Sequence, residues 1–290
     1  MEIRKPAVAG QFYEAGSEQC IAEVEQYIDC WRIDVELPEK ISGGIVPHAG
    51  WAFSGDLAGA VFSSIEKINK QVDTFVIFGA AHRYIGHRAV VYDTGRWISP
   101  IAEIEIDEDL AAKIIATDCA AADKISHIQE HSIEVQVPFI QYLFPKAKLV
   151  PILVPCSGLA VVLGEETADI IRDEDKDIVC IASTDLTHYG PRYGFCPEGV
   201  GDEAIRWAKE VNDAGFIDLA LQMKASQLLE GAEENASACG PGASAGLVSC
   251  MKRLGKKKGV LLGHTNSNEV LERKYHQRSE ESVGYAGIVY

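Results

Sequence analysis

Short apolar runs rich in β-branched residues recur along the chain. Between them, apolar residues fall three and four positions apart. Ser42–Val46, Thr74–Gly79, Arg88–Tyr92, Lys148–Val154, Asp177–Ser183, Gly259–Thr265 and Val283–Val289 carry the strand pattern. Leu57, Val61, Ile65 and Ile68 predict a helix over Ser54–Ile68. Ile133, Val137, Ile140 and Phe144 predict another over His131–Phe144, and Leu247, Met251 and Leu254 a third over Gly240–Leu254. Alternation of strands and helices over the whole length predicts an α/β fold with a mainly parallel sheet covered on both faces. No Gly/Ser/Pro-rich linker, internal repeat or low-complexity tract interrupts it, so residues 1–290 are expected to form a single domain. The acidic clusters Glu103–Asp109, Asp173–Asp177 and Glu230–Glu234 are expected in solvated loops and at helix ends.

Composition narrows the partners and the compartment. Of 290 residues, 47% are apolar and 24% charged, the balance of a chain that buries a core rather than of a disordered one. The formal charge is −16, which repels phosphate backbones and anionic lipid and argues against nucleic-acid and membrane partners. Eight cysteines are spread with no C-x-x-C pair, which argues against a zinc ribbon, a thioredoxin-type centre and a disulfide framework. Met1–Gly10 carries Glu2, Arg4 and Lys5 with no apolar run, and the longest uncharged stretch, Leu149–Gly164, is interrupted by Pro151 and Pro155. A cytoplasmic protein is the expectation.

In open α/β sheets, chemistry collects just past the carboxyl ends of strands. Three histidines fall at such positions. His48 follows Ser42–Val46, His82 follows Thr74–Gly79, and His188 closes Thr184-Asp185-Leu186-Thr187-His188, which follows Asp177–Ser183. A lone histidine is usually structural, but three at equivalent positions point to one crevice. Cys239 opens the Gly/Pro-rich start of the helix Gly240–Leu254, where unpaired N–H groups and the helix dipole favour a thiolate.

Three other motifs compete. His127-Ile128-Gln129-Glu130-His131 fits the H-x-x-E-H pattern of inverted zinc metallopeptidases, which needs a helix running through His127. The apolar stripe instead places the helix start near His131. Gly242-Ala243-Ser244-Ala245-Gly246 fits the nucleophile elbow, and Gly240–Ala245 resembles a dinucleotide fingerprint, but neither follows a strand pattern.

These residues together resemble the Memo family (mediator of ErbB2-driven cell motility, with bacterial and archaeal relatives known as AmmeMemoRadiSam system protein B). The resemblance runs from Arg4-Lys5-Pro6-Ala7-Val8-Ala9-Gly10-Gln11-Phe12-Tyr13 through Pro47-His48-Ala49-Gly50-Trp51, Glu130-His131-Ser132-Ile133-Glu134 and Ser183–Tyr189 to Cys239-Gly240 and Ser282-Val283-Gly284-Tyr285-Ala286-Gly287. Gly79-Ala80-Ala81-His82 departs from the usual G-P-[SN]-H while keeping the histidine. The resemblance implies a three-layer α/β/α sandwich with a mixed, mainly parallel sheet, similar to class III extradiol dioxygenases. It implies a metal site at His48, His82 and Cys239, with His131, His188 and Asp185 lining the same pocket. By that likeness His131 and His188 are candidate acid/base residues, and Asp185 orients one of them or a metal-bound water. The likeness implies a transition metal, iron or copper with zinc possible, and cysteine in place of the dioxygenases' carboxylate softens the donor set and shifts preference towards copper or zinc. The implied activity is metal-dependent redox chemistry on a small aromatic or related molecule. The alternative is a non-catalytic pocket for a peptide or partner. AMMECR-type and radical-SAM proteins are implied as partners by family association alone.

Overall fold

The computed structural model describes residues 2–290. Among the described residues twelve strands follow one another: β1 (Ile3–Arg4), β2 (Gly43–Val46), β3 (Thr74–Ala80), β4 (Ala89–Val91), β5 (Arg96–Ile98), β6 (Glu103–Glu105), β7 (Ala120–Ala122), β8 (Lys148–Val154), β9 (Ile178–Ser183), β10 (His188–Tyr189), β11 (Val260–Asn266) and β12 (Ser282–Val289). Nine of them form one mixed sheet in the order β10-β12-β2-β9-β3-β8-β4-β7, with β11 pairing β12. Its centre, β2-β9-β3-β8, is parallel, and the antiparallel partners β12 and β4 flank that centre. A small second sheet, β1-β5-β6, lies outside it.

Helices cover both faces, giving a three-layer α/β/α sandwich. The two neighbouring glycines of β2 mark the two layers, because successive strand residues face opposite sides. At Gly43 a Cβ would strike Met251 and Leu247 of the helix Pro241–Arg253. At Gly44 it would strike Val61 of the helix Trp51–Asn69. Every residue of β2, β3, β9 and β12 is buried, which is why their sequences run apolar without alternation.

The seven strands named by the sequence all form, with ends shifted by no more than one residue. The helices Trp51–Asn69 and Pro241–Arg253 match their predicted stripes. The third does not begin near His131. A 3-10 turn covers Glu134–Gln136 and the α-helix runs only over Val137–Leu143. The residues before it are occupied by local hydrogen bonds described below. The acidic run Glu103–Asp109 supplies a helix end, as expected, where Asp107 caps by accepting from the Leu110 amide, but its first residues form β6 rather than a loop. All eight cysteines are free. Among the described residues, no helix is long and apolar enough to cross a membrane.

Candidate metal centre

The parallel strands end side by side, so the residues just beyond them converge. His48 lies two residues past β2, His82 two past β3, and Asp185 two past β9. The Leu186 segment bridges to Ala238, which brings Cys239 to the same edge. One nitrogen each from His48 and His82 and the Cys239 sulfur lie within 4.8 Å of one another.

Hydrogen bonds assign the imidazole tautomers. Ser183 Oγ has a single hydrogen, and it points to the Ser132 carbonyl at 2.6 Å. The same oxygen therefore accepts from His48 Nδ1 and from Gln136 Nε2, each at 3.1 Å. With Nδ1 donating, His48 Nε2 faces Cys239 Sγ at 3.0 Å. His82 is held in the same way. Its Nδ1 lies 2.9 Å from Glu130 Oε1, and an ionised carboxylate only accepts. Glu130 also takes the amides of His82, His131 and Ser132, which fixes the loop around it. Burial opposes its ionisation, but His82, the Ser132 amide and His131 outweigh burial and hold it well below the usual carboxylate range. Both imidazoles are thus oriented from behind and present Nε2 to the crevice. Outer partners of this kind fix metal-ligating histidines in general.

Charge organises the rest of the pocket. Burial disfavours a thiolate at Cys239, yet His48, His188 and His82 overcome it and hold the thiol well below its ordinary value. The Asp185 amide donates to the same sulfur at 3.3 Å. Burial lowers His82, but hydrogen bonding to Cys239 and Glu130 carries it up to about 10. A cation bound here displaces such protons, so uptake would release them. His131 goes the other way: burial, His48 and His82 push it down to about 4, leaving it neutral near pH 7. It packs flat against His82, with ring centroids 4.7 Å apart, and edge-on to Phe12 at 4.9 Å.

His188 lines the same cavity with Tyr193 packed against its ring at 5.1 Å, and its buried Nε2 has no hydrogen-bond partner among the described residues. Asp185 lies in the same pocket, within one group of possible metal ligands with His188 and Cys239. One of its oxygens accepts the His48 and Ala49 amides, at 2.7 and 3.2 Å, and so shapes the loop that carries His48. The cavity measures about 460 Å³ and also exposes Phe12, Phe53, Val283 and Tyr285. Two imidazole nitrogens and a thiolate, oriented from behind and with His188 close to the same sulfur, fit a borderline-to-soft transition metal.

The competing motifs fail on geometry. No helix runs through His127–His131. His127 points away from the crevice, packs between Tyr92 and Trp97, and donates from Nε2 to the Val90 carbonyl at 3.1 Å. It shares no metal-ligand group with His131, so the peptidase arrangement is absent. Ser244 sits inside the helix Pro241–Arg253, buried, and no strand precedes that helix.

Several residues of the site carry no local sequence signal. Ser183, Gln136 and Glu130 act across separations of 47 residues or more. Glu134 explains why the N-terminal and Glu130–Glu134 fragments occur together. It accepts from Arg4, Tyr13 and the amides of Ala7 and Val8, which brings the neighbouring Phe12 into the cavity wall. A π-helix over Ala208–Asp213 brings Asn212 and Asp213 to the Thr187 hydroxyl and amide, at 3.0 and 2.9 Å, and so steadies the segment bearing His188.

The Memo-like protein family profile matches residues 4–289. A MEMO1 family protein of Thermococcus onnurineus is 38% identical over 298 residues, covering 99% of each chain. One from Methanosarcina mazei is 34% identical over 296 residues, covering 100% of this chain and 99% of the relative. Among solved structures, an uncharacterized protein of Escherichia coli K12 shares the fold at a TM-score of 0.53 with 9% identity, covering 86% of this chain and 99% of its own.

Proposed function

The chain belongs to the Memo-like protein family, and we propose that it holds a transition-metal ion between His48, His82 and Cys239 and acts as a dioxygenase-like redox enzyme on a small aromatic molecule. Iron or copper is the proposed metal, and zinc would give a Lewis acid without redox chemistry. The observation that carries this reading is the paired tautomer assignment. Ser183 and Glu130 each take the Nδ1 hydrogen of one histidine and leave its Nε2 beside the Cys239 sulfur.

When bound, such an ion supplies Lewis acidity and, for iron or copper, one-electron chemistry. The protein's own groups do the rest. Phe12, Phe53 and Val283 offer an apolar wall for a flat ring and exclude water from one side of it. His188 Nε2, buried and unpartnered, is free to hold or deliver a proton to the ligand. His131 keeps Nδ1 near Glu130, at 3.4 Å, and so reserves Nε2 for the cavity. Asp185 holds the His48 loop in register through two amides.

Metal content of anaerobically purified protein, prepared without a chelating tag, tests the proposal. Wild type is expected to hold one transition metal per chain, His48→Ala to lose it, and His127→Ala to keep it. Oxygen uptake with catechol should follow metal content and fall by about 10²-fold or more in His188→Ala. Metal-free wild type would sink the redox reading. A second reading rests on the half-buried Phe12, Phe53 and Leu271 lining the cavity, which would also suit a peptide or protein partner, AMMECR-type and radical-SAM proteins included. It predicts partner capture that survives in His82→Ala, and loss of the partner together with the metal would count against it.

A further inference from the structure

The fragment Ser282–Gly287 takes no part in the metal centre, yet it is threaded beside it. Gly284 exchanges backbone hydrogen bonds with the Asp185–Thr187 loop, receiving from the Leu186 amide at 2.8 Å and donating to the Thr187 carbonyl at 3.0 Å. Strand alternation then decides where the side chains go. The Gly284 side faces Asp213, where any Cβ would overlap the carboxylate. Val283 and Tyr285 take the opposite side, and both line the cavity with His48, Asp185 and His188.

Tyr285 is 2% exposed and its ring packs with Leu57, Phe53 and Ala49. Its hydroxyl makes no hydrogen bond among the described residues and is not among the enclosed polar atoms left without a partner, so it opens on the cavity as donor and acceptor. A phenol that lines a cavity without a protein partner keeps its hydrogen available to an oxygen of whatever occupies that cavity. Burial, Asp185, Tyr193 and Cys239 all favour keeping the phenol protonated. We infer that Tyr285 is a ligand-binding residue, donating its phenolic hydrogen to an oxygen of the aromatic molecule held in the cavity. This rests on the proposed aromatic substrate but not on the identity of the metal.

The test compares wild type with Tyr285→Phe in two measurements on the same preparations: metal content, and titration with 4-nitrocatechol followed by its visible absorption. The variant is expected to keep wild-type metal content and wild-type thermal stability, because the hydroxyl has no protein partner to lose. It should bind the probe about 5- to 30-fold more weakly. Equal affinity for the probe would overturn the inference, as would a wild type that does not bind it. Loss of metal together with the probe would also overturn it, by making Tyr285 part of the metal site's framework. A wild type without metal that still shows the affinity difference would end the redox reading and leave this inference standing.

Discussion

At the scale of single residues, the site depends on groups that never touch the crevice. Glu130 is the chief of them, since one carboxylate orients His82 and ties down the amides of His131 and Ser132. Glu130→Gln keeps the size but ends the charged acceptance, and metal affinity is expected to fall about 10- to 100-fold in competition with a chromophoric chelator. An unchanged affinity would mean that His82 is oriented by packing alone. His127 gives a stability prediction with a definite sign. Burial pushes it down to about 4, so the folded protein binds fewer protons than the unfolded chain between pH 6.5 and 4. Stability from this residue is therefore intact above pH 6.5 and lost on acidification through that window, by on the order of 3 kcal/mol in all. His127→Gln should flatten the pH dependence of chemical unfolding by one proton, and an unchanged slope would refute the neutral assignment. The liganding histidines are legible in the sequence because strand ends announce them. Ser183, Gln136 and Tyr285 are not, since their roles exist only once distant segments meet.

At the scale of elements, apolar runs of five to seven residues mark every long strand to within one residue. Strands as short as Ile3–Arg4, Ala120–Ala122 and His188–Tyr189 are too brief to establish a period and are set by their neighbours. The segment before Val137 shows the opposite failure. Its stripe is helical, but Glu130 captures the His131 and Ser132 amides and Ser132 Oγ donates to the Ala80 carbonyl at 3.0 Å, so tertiary bonds outcompete an earlier helical start. The helix Pro241–Arg253 positions Cys239 from behind, and Gly242 sets how closely it approaches β8. A Cβ there would fall on the Pro155 carbonyl. Gly242→Ala is expected to cost about 1–3 kcal/mol in thermal unfolding and to weaken metal retention together with stability. A variant with unchanged stability would show that the helix shifts freely, and with it the sulfur.

At the scale of the whole molecule, a single sandwich brings the ends of β2, β3 and β9 to one edge and leaves one crevice there. A net charge of −16 makes the protein's field favourable to cations. If a metal binds only the folded state, it stabilises that state by about 2.7 kcal/mol at a hundred times its dissociation constant. Adding a strong chelator should therefore lower the unfolding temperature of wild type and leave Cys239→Ser unmoved. An equal response in both would detach the ion from this site. The ligand set itself can be read from an anomalous-difference map of crystals grown from tag-free, anaerobically purified protein, collected at the iron, copper and zinc edges. One peak is expected, bounded by His48 Nε2, the His82 ring and Cys239 Sγ. No peak there, or a peak seated instead on Glu130 and His131, would contradict that ligand set.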